Sequence, residues 1–297
     1  MSLLVKICGL STRETLGVAL EAGADMVGFV FFPPSPRHLS PGTARELGRQ
    51  AKGRAVKVAL TVDADDATFQ NILETLQPDI LQLHGKETTA RLRDIKAKFG
   101  LPVMKALPVE TVADLAPLAG YAGVADRILF DARPPKDATR PGGLGAAFDW
   151  HVLEKLDLEL PFMVSGGLNA ANVAKAVRIT RAGGVDVSSG VERAPGIKDP
   201  EMIRAFIRAA RMKARISSGS LMPGARSTPE ETSTPPARVT RTASATLSAE
   251  SPPETMKGSL RSRFSSRCQS KVAPSPPGRV APFGARASNR MRSATLA

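Results

Sequence analysis

Eight short runs rich in Val, Ile and Leu return at regular intervals, and this return constrains the fold more than any other feature. They lie at Leu3–Ile7, Met26–Phe31, Val56–Val62, Ile80–Leu83, Val103–Ala106, Arg127–Phe130, Phe162–Ser165 and Val185–Ser188. Stretches of helical character follow them at Thr12–Ala22, Pro41–Lys52, Ala64–Leu76, Glu87–Phe99, Glu110–Leu118, Phe148–Leu156, Ala170–Arg178 and Pro200–Met212. The runs are apolar on both faces, the pattern of strands covered on two sides in a parallel sheet. Asp65 or Asp66 suits the N-cap of the third helix and Asn169 that of the seventh, while Asp199 before Pro200 fits an N-cap with proline at N1. Eight strand–helix units in about 210 residues predict an α/β chain of the (β/α)8 (TIM) barrel type, near the lower size of that fold. A doubly wound open sheet is the competing arrangement. In the barrel, function collects at the C-terminal ends of the strands, where the βα loops build one face.

Beyond the eighth unit the character changes. Residues 214–297 are Ser, Thr, Pro, Ala and Arg without period, with Phe264 and Phe283 as their only aromatics. Such a segment buries too little apolar surface to offset an ordering cost of about 1–2 kcal/mol per residue, so disorder is expected. The expected division is a barrel domain over 1–213 and a basic, disordered tail over 214–297. Most of the net charge of +13 sits in that tail. It holds 13 Lys and Arg against 4 Asp and Glu, which leaves 28 against 24 in residues 1–213. The body is near balance, so nucleic acid would engage only the tail, as a basic arm; a spurious extension of the reading frame is the other account of it.

Two cysteines, Cys8 and Cys268, make no disulfide framework, which favours a reducing compartment. No apolar run reaches the roughly 20 residues of a membrane span, and the N-terminus lacks a signal-peptide pattern. A cytoplasmic monomer or homodimer with no membrane partner is expected.

Polar and small residues gather at the strand ends. Cys8 and Gly9 follow the first run, Arg37 in "FFPPSPRHLSP" the second, Gln82 and His84 in "QLHG" the fourth, and Asp131 in "LFDARPP" the sixth. "SGGLN" follows the seventh, and "DVSSGVE" belongs to the eighth. Barrels often bind phosphate with the loops after strands seven and eight. Gly166, Gly167 and Gly190 let the backbone approach an anion and aim N–H groups at it, and Ser188 and Ser189 add hydroxyl donors. A small phosphorylated substrate is expected. A thiol is a base or nucleophile only as thiolate, and a cysteine in an apolar strand is usually filler. Cys8 lies past the apolar run on the polar face, with Asp131 on the same rim, and that pair suits proton-transfer isomerisation. His38, His84 and His151 are scattered without ligand spacing, so no metal is expected. No glycine-rich nucleotide fingerprint is present, so no cofactor is expected either.

Taken together, "VKICGL", "GADMVGFVFFPPSPRHLSP", "LQLHG", "LFDARPP", "PGGLGAAFDW", "SGGL" and "GVDVSSGVE" resemble phosphoribosylanthranilate isomerase, an enzyme of tryptophan biosynthesis. The resemblance spans residues 3–212 and none of the tail. It implies conversion of N-(5-phosphoribosyl)anthranilate to 1-(2-carboxyphenylamino)-1-deoxyribulose 5-phosphate by an Amadori rearrangement. It also implies Asp131 as the acid that opens the sugar ring, Cys8 as the base that takes the C2 proton, and Arg37 as a planar fork on the anthranilate carboxylate. Gln82 and His84 either line the pocket or tie the fourth loop. Asp186 matches a position near the phosphate, and its charge suits orienting loop N–H groups. His38 and His151 read as surface or helix-end residues, and Gly142-Gly143-Leu144-Gly145 as a mobile loop over the site. Two alternatives stand beside this. One is another phosphosugar barrel: against a histidine-pathway isomerase, Cys8 and "VMKAL" stand where a paired-aspartate set is expected, and against a ribulose-phosphate epimerase the metal ligands are missing. The other is a barrel serving nucleic-acid binding through its basic arm.

Overall fold

Inward and outward side chains alternate along every strand, and the two sets fill two separate layers. The computed structural model describes residues 2–135, 138, 142–143 and 145–217, with side chains through residue 212. Eight parallel strands close a barrel in sequence order. They are β1 (Leu4–Cys8), β2 (Met26–Phe31), β3 (Val56–Thr61), β4 (Ile80–Leu83), β5 (Val103–Val109), β6 (Arg127–Ala132), β7 (Phe162–Val164) and β8 (Gly184–Val187). Closure is made by β1 and β8, with Leu4 opposite Gly184 and Lys6 opposite Asp186. Met26, Val58, Met104, Leu129 and Met163 pack inside the barrel. Val5, Ile7, Phe29, Leu81, Phe130 and Val185 point outward and form the larger core beneath the helices. The barrel is therefore a packed interior that stops short of its C-terminal mouth.

The helices are α1 (Arg13–Glu21), α2 (Pro41–Ala51), α3 (Asp66–Thr75), α4 (Thr89–Phe99), α5 (Leu118–Ala122), α6 (Val173–Thr180) and α7 (Pro200–Ser217). Four begin with the same device, in which Thr12, Ser40, Asp65 and Thr88 accept from the N–H three residues on. That satisfies one of the donors a helix start leaves unpaired. Asp199 Oδ1 accepts from Glu201 N at 2.9 Å and Met202 N at 3.0 Å, with Pro200 at the first helical position. Asn169 Oδ1 accepts from Ala171 N at 2.9 Å and caps an opening turn, and α6 itself starts only at Val173.

Two expected helices differ. The fifth is a 3₁₀ turn, Val112–Leu115, followed by the short α5. Pro117 lacks an N–H and its ring would strike the carbonyl four residues earlier, so a helix over Glu110–Leu118 cannot run through it. In place of the sixth stands a 3₁₀ turn, Trp150–Leu153, capped by Asp149. Phe148, Trp150, Val152 and Leu156 still pack on the outer core, so the apolar side chains are buried without a regular helix.

Helix α7 is longer than expected and returns to the start of the chain. Arg211 donates to Leu3 O at 2.6 Å and Gly23 O at 2.9 Å, and pairs with Asp25 Oδ2 at 2.6 Å. The helix runs through the expected boundary at residue 213, and the tail from 218 lies outside the described residues. None of the described helices is long and apolar enough to cross a membrane.

Candidate active site

The C-terminal mouth holds a cleft that opens to solvent. Cys8, Arg37, His84 and Asp131 line it, as do Gly166, Gly167, Asp186, Ser188, Ser189 and Gly190. Every expected site residue except Gln82 thus reaches one wall. Val30, Phe32, Leu60, Val62 and Pro134 make an apolar side. Gly142, Gly143 and Gly145 also border the cleft, and Leu144 lies outside the described residues. His38 and His151 are exposed, the latter beside Asp149 at 2.7 Å.

Gln82 is fully buried one layer below, and supports its neighbour two residues on. Its side-chain nitrogen lies 3.0 Å from His84 Nδ1, and His84 Nε2 lies 3.2 Å from Asp131 Oδ2. With the Gln82 amide as donor, Nδ1 accepts and Nε2 keeps the ring proton that faces Asp131. The other oxygen, Asp131 Oδ1, accepts from Ala132 N at 2.9 Å. The loop that carries His84 is fixed from outside the barrel. Lys105 Nζ donates to Leu83 O at 3.2 Å, Gly85 O at 2.7 Å and Glu87 Oε2 at 2.8 Å.

Cys8 ends β1, and the period of two puts Lys6 beneath it on the same inward face. Lys6 is wholly buried, with its Nζ 3.0 Å from Asp186 Oδ1. Burial pushes the Cys8 thiol up; Lys6 and Lys198 pull it down, Asp186 adds to the rise, and the net position is above the ordinary value. For Lys6, burial pulls the ammonium down, but Asp186 and Cys8 outweigh it and hold it above its usual range. Lys6 therefore stays charged.

Arg37 was expected to offer a planar fork to a carboxylate. That fork is engaged from within the protein: Nε donates to Glu192 Oε1 and Nη2 to Glu192 Oε2, both at 2.7 Å. Nη2 also donates to Gly143 O at 3.2 Å. Nη1 lies 2.7 Å from where a Cβ on Gly143 would stand, and Gly143 borders the cleft. Glu192 in turn accepts from Lys198 Nζ at 2.7 Å, and Lys198 donates to Ser188 O at 2.8 Å. A hairpin of β9 (Glu192–Ala194) and β10 (Ile197–Lys198) brings both residues to the mouth.

Lys6, Glu192 and Lys198 are the site-forming residues that reading the sequence missed. Lys6 carried a usable signal, being a charge inside a buried strand two residues before Cys8. Glu192 and Lys198 sit in "GVERAPGIKD", where a solvent-facing turn is the ordinary expectation.

Gly166 and Gly167 have φ of +81° and +62°, which side-chain-bearing residues rarely adopt, so the turn after β7 needs glycine. Gly190 lies against the same turn: a Cβ on it would fall 1.8 Å from Leu168 O. The β7 and β8 loops therefore touch with no side chain between them, and Ser188 and Ser189 face the cleft beside them.

Residues 5–209 match the family model described as N-(5'phosphoribosyl)anthranilate (PRA) isomerase. An N-(5'-phosphoribosyl)anthranilate isomerase of Bradyrhizobium diazoefficiens is 80% identical over 211 residues, covering 71% of this chain and 95% of the relative. The phosphoribosyl anthranilate isomerase structure from Thermotoga maritima superposes with a TM-score of 0.63 at 33% identity, over 71% of this chain and 99% of that one. A further isomerase structure, in complex with reduced 1-(o-carboxyphenylamino)-1-deoxyribulose 5-phosphate, gives a TM-score of 0.61 at 32% identity, over 71% and 99%.

Proposed function

The chain belongs to the N-(5'-phosphoribosyl)anthranilate isomerase family, and from that premise we propose a cycle in which Cys8 is the base and Asp131 the acid. The protein is an isomerase of tryptophan biosynthesis that converts N-(5-phosphoribosyl)anthranilate to 1-(2-carboxyphenylamino)-1-deoxyribulose 5-phosphate. Asp131, in its acid form, gives a proton to the furanose ring oxygen, and the C1–O bond breaks to leave a protonated imine. Cys8 thiolate takes the proton from C2, and the electron pair moves to the imine to give an enolamine. The C2 hydroxyl then gives its proton to the Asp131 carboxylate as the Cys8 thiol returns one to C1, and the ketone results with both groups back in their starting forms. Each transfer is general acid–base catalysis.

One observation carries these roles: a thiol from β1 and a carboxyl from β6 face a single cleft, each backed by its own buried polar support. The glycine turn after β7 and Ser188 and Ser189 after β8 suit the substrate's phosphate. Asp186 pairs with Lys6 and so acts beneath that loop, away from the anion. Arg37 is placed to meet the anthranilate carboxylate by its Nη1 edge, with Glu192 holding the guanidinium plane. The apolar wall suits the aromatic ring. His84 holds Asp131, and Gln82 holds His84. A thiol that must stay reduced suits the cytoplasm. We also keep residues 1–213 as the catalytic unit and the tail from 214 as dispensable to it.

The test is the loss of anthranilate fluorescence when phosphoribosylanthranilate is mixed with the purified protein. Decay well above the buffer rate is expected. Decay at the buffer rate from a folded sample overturns the roles of Cys8 and Asp131.

A further inference from the structure

Lys6 is a wholly buried charge beside the mouth that these chemical steps do not use. It stands on the inward face of β1 two residues before Cys8, and the strand beside it clears space for both. Gly28 of β2 lies opposite Cys8 in register. A Cβ on Gly28 would sit 2.8 Å from Cys8 Sγ and 3.1 Å from Lys6 Nζ, so thiol and ammonium converge over a residue without a side chain. From the other side β8 brings Asp186, whose Oδ1 is 3.0 Å from Lys6 Nζ. Lys198 of β10 is the remaining charge acting on Cys8.

A buried ammonium needs an anionic partner, because taking it out of water unpaired is costly. Lys6 has two groups able to serve, the Asp186 carboxylate and the Cys8 sulfur. We propose that Lys6 is the positioning residue that lets Cys8 act as a base, its single ammonium shared in competition between Asp186 and the Cys8 thiolate. The proposal rests on Cys8 being the base. In the resting protein Asp186 holds the ammonium and the sulfur keeps its proton. When the thiol gives that proton up to solvent, Lys6 provides the neighbouring positive charge. When the thiolate takes the C2 proton, the ammonium returns to Asp186 alone. Lys6 keeps its own protons throughout, so the balance of the reaction is unchanged.

Competition has a signature that packing lacks. Removing the ammonium and removing its carboxylate partner should move the Cys8 titration in opposite directions. The midpoint is read from the pH dependence of alkylation by iodoacetamide, followed by mass spectrometry on the Cys8 peptide so that Cys268 does not contribute. In the full chain, Lys6→Met should raise the midpoint by at least about one pH unit, which is about tenfold slower alkylation at a fixed pH below it. Asp186→Asn should lower the midpoint, since the thiolate becomes the sole partner of Lys6. Lys6→Arg should stay near the parent. An unchanged or lower midpoint in Lys6→Met, or an unchanged or higher one in Asp186→Asn, overturns the proposal. If Lys6→Met does not fold, Lys6→Met/Asp186→Asn is compared with Asp186→Asn. A higher midpoint in the double variant supports the shared ammonium, and an equal or lower one overturns it. Turnover of Cys8→Ala separates the two claims: an active variant would remove Cys8 from catalysis, while the titrations decide the role of Lys6 by themselves.

Discussion

Cys8 and Asp131 are held by different means, so their loss should look alike in rate and differ in little else. Cys8→Ala and Asp131→Asn should each lower turnover by about 10²–10⁴-fold, the usual worth of one acid–base group. Folding should survive both, because a thiol at a cleft edge leaves little cavity and the amide keeps the carboxyl's shape. Fluorescence decay with far-ultraviolet circular dichroism checks this, and substantial residual turnover in either variant removes that residue from its role. At Arg37 the expected result is richer. Arg37→Lys would keep the charge but lose the two-pronged contact with Glu192, leaving that carboxylate with Lys198 and the Gly196 N–H. KM should rise by roughly 10- to 100-fold, the range of one hydrogen bond to a charged group. Glu192→Gln should raise KM as well and cost stability on the order of 3–5 kcal/mol, since it breaks a buried ion pair. An Arg37→Lys enzyme with the parent's KM would mean that no carboxylate rests there. The residues doing chemistry were legible in the sequence because polar groups past an apolar run stand out. Their supports were less so: Lys6 was marked only by its place inside an apolar strand, and an acid in a turn such as Glu192 has no local mark of burial, which arises only when the hairpin closes on the mouth.

The turn after β7 and the loop after β8 work as one element, since Gly190 packs directly on Leu168. Ser189→Ala should weaken phosphate binding by about 1.5–3 kcal/mol, the loss of one hydrogen bond to a charged group. Gly167→Val should do far more, and for a reason that the sequence did not show. Its Cβ would lie 2.7 Å from Ala147 Cβ and 3.1 Å from Ala146 O, so the side chain strikes the segment after β6 as well as straining the backbone. Inorganic phosphate should compete with substrate in the parent and much less in Gly167→Val. Equal inhibition in both, with the variant folded, would place the phosphate elsewhere. The elements themselves were readable to the extent that local rules governed them. Strand positions followed from apolar runs, with errors of one to three residues at half of the strand ends, and Asp65 and Asp199 marked two helix starts, while Asn169 caps only the turn ahead of α6. The fifth helix was misjudged because Pro117 outweighs the apolar spacing around it. At the sixth, the same side chains are buried by an irregular segment, which a periodic pattern does not distinguish from a helix.

At the scale of the molecule, the barrel and its last helix account for the whole of the family match, which ends at residue 209. A chain ending after Ser217, where α7 stops, should therefore keep the turnover of the full chain. Any affinity for nucleic acid should be lost with the 12 Lys and Arg residues beyond Ser217. A large fall in turnover on truncation would give the tail a catalytic part, and binding that persists would place it on the barrel. The clasp of Arg211 on Leu3, 208 residues apart, has a consequence of another kind. Of the described elements, a ribosome makes β1 first and α7 last. Until β8 emerges, the first strand has one parallel neighbour and an open edge, and such distant pairings are slow to form. Lys6 and Asp186 are 180 residues apart, so while most of the barrel is being made Cys8 has neither Asp186 nor Lys198 beside it. The nascent chain carries an ordinary thiol, and its reactivity becomes that of an enzyme only when the final strand is in place.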